Sequence, residues 1–208
     1  MKTLEEQLDA AGLRVVGCCE AMSAYGPDLL QHAPLLQDFS PAEANILGAS
    51  LLLVRAEPGQ VMMREGEAGE WMMLVLKGTV DVTKRLGRDA ESPDQAQSDV
   101  PADANAASET ATATATAAPA AATRVAVVRR GTALGEMSLL DGEPRFASCT
   151  AIEEVEVAVL GRHAIGLLIH DHPAVGAKLL VNMTQLMAQR LRNTSNQLIK
   201  LLRTRSAR

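Results

Sequence analysis

Aromatic residues are scarce in this chain: two Phe, one Tyr and one Trp among 208 positions. Its core must rest on Leu, Val, Ile, Met and Ala, which supply most of the 47% hydrophobic content. Cysteine is sparse too, with Cys18, Cys19 and Cys149, an odd count without C-x-x-C spacing. This excludes a disulfide framework and a thiolate metal site, and fits a reducing, cytoplasmic setting. No apolar run approaches the roughly 20 residues that a membrane helix needs. Glu5, Glu6 and Asp9 stand where a signal peptide would carry its basic start. Acidic residues stop at Asp171, while Lys178, Arg190, Arg192, Lys200, Arg203, Arg205 and Arg208 all follow it. The net charge of −5 therefore joins a basic C-terminal arm to an acidic body. The total gives no drive toward nucleic acid, and the arm reads as a solvated helix face.

What is present falls into three parts: residues 1–40, 41–172 and 173–208. The first reads as a helical lead-in through His32, with Leu4, Leu8, Leu13, Val16 and Met22 loosely spaced. Ser40, Pro41 and Glu43 then form a capping box with proline at the first helical position. Short apolar segments follow at Leu51–Arg55, Val61–Arg64, Trp71–Leu76 and Thr79–Lys84, spaced by glycine turns. They resume at Thr123–Val128, Cys149–Ile152 and Glu154–Leu160. Such spacing predicts a small antiparallel roll or jelly roll. Between them, residues 85–122 are nearly all Ala, Thr, Ser, Asp, Gln and Pro, and carry six acids from Asp89 to Glu109. That composition cannot offset its ordering entropy, so it reads as a disordered insertion in one hairpin, a passive linker or an acidic counterpart to the basic arm. His170-Asp171-His172-Pro173 lacks a further ligand to complete a metal site and reads as a helix boundary.

Chemistry concentrates in Gly135-Glu136-Met137-Ser138-Leu139-Leu140-Asp141-Gly142-Glu143-Pro144-Arg145-Phe146-Ala147-Ser148. Gly135 lets the main chain approach a ligand, and a helical turn after it offers unpartnered amides to an anion. Arg145 presents a planar fork suited to phosphate. Ionised Glu136 only accepts hydrogen bonds, which suits a hydroxyl donor. Together they describe a pocket for a sugar phosphate. From Pro173 to about Arg203 runs one long helix. Leu180, Thr184, Met187, Leu191, Thr194, Leu198 and Leu201 alternate four and three apart, as in a coiled-coil seam that needs a second copy.

Gly135-Glu136 with Pro144-Arg145-Phe146-Ala147-Ser148 resembles the phosphate-binding cassette of the cyclic nucleotide-binding domain family, which includes the catabolite activator protein and protein kinase A regulatory subunits. The run from Pro58 to Gly78 is similar to the first half of that family's barrel. The resemblance implies an α+β fold: an antiparallel β-roll flanked by N-terminal helices and a long C-terminal dimerisation helix. It implies that Glu136 holds a ribose hydroxyl, that Arg145 pairs with a cyclic phosphate, and that Gly135, Met137, Phe146 and Ala147 line the pocket. In Ala188–Asn196 the likeness extends to a Thr-Ser pair, so Thr194 and Ser195 are expected to read adenine, one from each subunit. Phe146 stands where the family usually has a small or hydroxyl residue, and a ring there crowds the ligand or removes a contact.

The expected function is a cytoplasmic cAMP sensor, with cGMP as the other candidate ligand. It acts as a homodimer on an effector protein, without metal, membrane or catalysis. No helix-turn-helix reader fits after Arg203, so DNA is not the expected partner. The competing readings are a nucleotide-free interaction module of the same fold and a transcriptional regulator relative without its DNA-reading domain.

Overall fold

The computed structural model describes residues 3–19, 21–85 and 122–206. Helix α1 (Leu4–Ala10) opens with a capping box. Thr3 Oγ1 accepts from the Glu6 amide at 3.2 Å, and the Glu6 carboxylate accepts from the Thr3 amide at 2.8 Å. Helix does not continue to His32 as the Leu spacing predicts. Strand β1 (Arg14–Cys18) intervenes and pairs antiparallel with β2 (Leu52–Ala56). The adjacent β-branched Val15 and Val16 favour extended backbone, and a free sheet edge is there to receive them. Helical character returns in a 3₁₀ turn at Met22–Tyr25, in α2 (Pro27–His32), in a second 3₁₀ turn at Pro34–Leu36, and in α3 (Pro41–Ala49). The last has the expected Ser40–Glu43 box and Pro41 at its first position.

Nine strands make two antiparallel sheets among the described residues. One has the order β1-β2-β9-β4-β7, using β4 (Trp71–Lys77), β7 (Ala133–Leu134) and β9 (Val155–Gly161). The other has the order β3-β8-β5-β6, using β3 (Val61–Met63), β5 (Thr79–Arg85), β6 (Ala122–Arg129) and β8 (Ser148–Ala151). Strands β4 and β9 are buried on both faces. Trp71, Met73, Val75, Val155, Val157 and Val159 fill the space between the sheets with Met62, Val80 and Cys149. Met72, Leu74, Leu76, Ala158 and Leu160 point the other way, into a second core under the helices. The α+β roll expected from the short strands is the fold observed. β5 and β6 pair as one hairpin up to Arg85 opposite Ala122. The expectation of a disordered insertion over 85–122 lies outside the described residues for 86–121.

A single turn, α4 (Glu136–Asp141), follows β7, and α5 (Arg162–Asp171) leads into α6 (Pro173–Ser206). At 34 residues α6 is about 51 Å long. Val175, Leu179, Met183 and Leu186 seat its first half on the helical core. The amide of buried Asn182 donates to the carbonyls of Leu35 at 3.0 Å and Gln37 at 2.8 Å. Lys178 Nζ adds an ion pair to Glu43 at 2.7 Å. Among the described residues no helix is long and apolar enough to cross a membrane.

The Lys178 bond, with the Ser40 amide, lowers the Glu43 carboxyl from its ordinary 4.5 to about 2. A depressed acid stabilises the fold fully above its unfolded value and loses that contribution as pH falls. The gap in urea midpoint between the wild type and Glu43→Gln should therefore be open at pH 7 and close between about pH 4.5 and pH 2.

Candidate functional site

Arg145 and Glu136 are both withdrawn from solvent, at 4% and 1% exposure. Local sequence explains how. Gly135 sits in the left-handed region at φ 79° as the residue before α4, so Glu136 begins the turn with its side chain directed inward. The loop before β4 is stitched to the cassette by two main-chain bonds. Arg145 N–H donates to Glu67 O at 2.8 Å, and Gly66 N–H donates to Arg145 O at 2.9 Å. These bonds bring Gly69 against the Arg145 side chain, where a Cβ would land on the guanidinium. The guanidinium lies over the Trp71 ring, 4.5 Å from its centre, and Nη1 donates to Gly135 O at 3.1 Å. Across the site, Glu136 Oε1 accepts from Arg190 Nη1, while Arg190 Nη2 donates to Ala133 O at 2.6 Å.

Two atoms are left over. Glu136 Oε2 and Arg145 Nη2 are buried and find no hydrogen-bond partner among the described residues. Both side chains line a cavity of about 90 Å³ together with Met63, Leu134, Ala147 and Arg190. Burial pushes the Glu136 carboxyl up, with the Arg190 charge opposing it. Burial also brings the Arg145 guanidinium down to about 10, so it stays charged at neutral pH. The neighbouring Cys149 thiol is pushed up to about 11, again by burial, which keeps it an unreactive wall of the cavity. An acceptor-only oxygen and a donor-only nitrogen, each held dry, suit a ligand bearing both a hydroxyl and an anion.

Comparison with known proteins names such a ligand class. The family described as the cyclic nucleotide-binding domain matches residues 114–172, which contain both orphaned groups. A crystal structure of a cyclic nucleotide-binding domain from Methylobacillus flagellatus is 26% identical, with a TM-score of 0.66 over 90% of this chain and 88% of that one. These likenesses are consistent with a cyclic nucleotide-binding domain. A CRP-like cAMP-activated global transcriptional regulator of Mycobacterium tuberculosis is 25% identical over 85% of the chain, covering 63% of that protein. A cAMP-dependent protein kinase regulatory subunit of Yarrowia lipolytica is 29% identical over 67% of the chain and 28% of its own length. The chain thus spans under two thirds of both curated relatives.

Gly135, Glu136, Met137, Arg145, Phe146 and Ala147 all come together around the cavity. Phe146 does not plug it. The residue is 53% exposed and its ring lies 3.9 Å from Lys84 Nζ, which also donates to the Phe146 carbonyl at 2.7 Å. Thr194 and Ser195 are exposed on α6, beyond Arg190, and do not line the cavity of a single chain. Sequence reasoning missed Arg190. It lies in the basic arm that the sequence reads as a solvated helix face, on a helix read for its apolar seam. His170 and Asp171 form an exposed 2.8 Å pair. Among the described residues no three His, Cys, Asp or Glu are placed to hold a metal ion.

Arg190 is the charge partner that Glu136 has inside the domain. Arg190→Ala should lower stability by about 1–3 kcal/mol, because it strands a buried carboxylate. Arg192→Ala, on the exposed part of α6, should change it by less than about 0.5 kcal/mol. Guanidinium chloride unfolding of the two variants checks this, and equal losses would show the pair to be idle.

Proposed function

We propose that the protein is a cAMP receptor that signals through its C-terminal helix rather than by catalysis. The observation that carries this reading is that Glu136 and Arg145, which line one cavity, each keep a buried atom without a hydrogen-bond partner among the described residues. Glu136 Oε2 is the acceptor for the ribose 2′-hydroxyl, and Arg145 Nη2 is the donor to the cyclic phosphate. Gly135, Met137 and Ala147 form the wall, and Phe146 forms the rim. Ligand pockets typically hold about 300–1,000 Å³, so the 90 Å³ cavity has to widen to admit a nucleotide. The hydroxyls of Thr194 and Ser195 can accept a hydrogen bond from the exocyclic amine of adenine. The relatives named for cAMP support the same choice. The three free thiols fit a cytoplasmic location.

Output runs through α6. Leu191, Leu198 and Leu201 are 70%, 56% and 69% exposed, a row of leucines too large to leave in water on a lone helix. A second copy covers them in this reading, and an effector protein reads the dimer. Leu198→Glu should convert the dimer to monomer by sedimentation velocity, while a wild type that is already monomeric would remove the seam from the mechanism.

The ligand assignment has its own experiment. In isothermal titration with cAMP and cGMP, Arg145→Ala should weaken binding by about 1.5–3 kcal/mol, roughly 10- to 100-fold. Unchanged affinity would exclude Arg145 from the phosphate contact. The small cavity favours one rival reading, a nucleotide-free interaction module. Wild-type protein that binds neither nucleotide would decide for it.

A further inference from the structure

Arg145 is oriented by three contacts that use different parts of its guanidinium. The Trp71 ring takes the flat face, 4.5 Å from the ring centre to Cζ. The Gly135 carbonyl takes Nη1 at 3.1 Å. Gly69 closes on the Nε and Nη2 side, with no room for a Cβ. The ring therefore fixes the plane, the carbonyl fixes rotation within that plane, and Nη2 remains as a buried donor without a partner. A cation–π contact engages the face of a guanidinium and leaves its edge N–H groups free for an anion. Trp71 itself is held at 5% exposure between the sheets and is paired through the β4–β9 ladder with Gly161, so its ring is a rigid platform.

We infer that Trp71 is a positioning residue for the phosphate contact, holding Arg145 in the one orientation that presents Nη2 to an anionic ligand. This rests on the receptor reading above and adds a residue that touches no ligand. Leucine removes the ring and the face contact, whereas phenylalanine keeps a weaker π face.

The test is a double-mutant cycle read by isothermal titration with cAMP. Trp71→Leu should weaken binding about 5- to 30-fold in the wild-type background, and Trp71→Phe by less. In an Arg145→Ala background, Trp71→Leu should cause no further loss, because the group it positions is gone. A structural role for the ring would give the same loss in both backgrounds, and that result overturns the inference. So would full affinity in folded Trp71→Leu. If Trp71→Leu does not fold, the same cycle with Trp71→Phe decides on the same criterion. Failure of the wild type to bind cAMP would overturn the receptor reading and this inference with it. Wild-type binding that ignores Trp71 would overturn the inference alone.

Discussion

Everything in the site depends on keeping two opposite charges dry without letting them satisfy each other. Burying an ionised group costs several kcal/mol unless it is paired and hydrogen-bonded. Here each group is only partly compensated. Glu136 gives one oxygen to Arg190 and keeps one idle; Arg145 gives its face to Trp71 and one nitrogen to Gly135, and also keeps one idle. Had the two been set to form a complete fork-to-fork pair, both would be quiet and no small anion could compete. The fold prevents this by spending each on a different neighbour. Residual frustration of this kind is a common mark of a binding site, because the ligand supplies what the protein withholds.

The architecture follows from that need. A site built on loops alone would relax until the idle atoms found water or each other. Here the loop before β4 is bonded to the Arg145 main chain in both directions, and Gly135 is locked between β7 and α4. The doubly buried β4 carries Trp71 at its start, so the platform under Arg145 belongs to a strand packed on both faces. Arg190 reaches in from a different layer. It is the point where the cavity touches the long helix, and it joins the charge balance of the site to the placement of α6.

Much of this was legible before any coordinates. The roll, the β5–β6 hairpin, the α3 cap and the grouping of residues 135–147 all come from local signals: alternation, glycine turns, a capping box and a compact motif. What was not legible came from packing across the chain. Strand β1 lies in a segment whose leucines suggest a helix, and sheet pairing with β2 overrides that tendency. β7 is two residues long, too short to show any period. Arg190 and Trp71 enter the site from 54 and 74 residues away from Glu136 and Arg145 respectively. Neither residue carries a signal in its own neighbourhood, since each acts through a partner that only the folded chain selects.

Helix α6 shows the same limit in another form, and it also suggests how the site reports its state. Its heptad-spaced positions from Leu180 to Leu201 read as one seam. The structure adds a second apolar stripe beside it. Val175, Leu179, Met183 and Leu186 face the domain, while Leu191, Leu198 and Leu201 face outward. Neighbouring residues on a helix differ by about 100°, so Leu179 and Leu180 begin two separate apolar stripes. One stripe is satisfied within the chain and the other is not. Arg190 sits where the first stripe ends, half-exposed and bonded to Glu136. A ligand that draws on Glu136 alters the tether at the very point where α6 leaves its own domain. It can shift the helix only by as much as its affinity differs between the two helix positions. The geometry therefore limits coupling to what one carboxylate can redistribute between a ligand hydroxyl and a guanidinium.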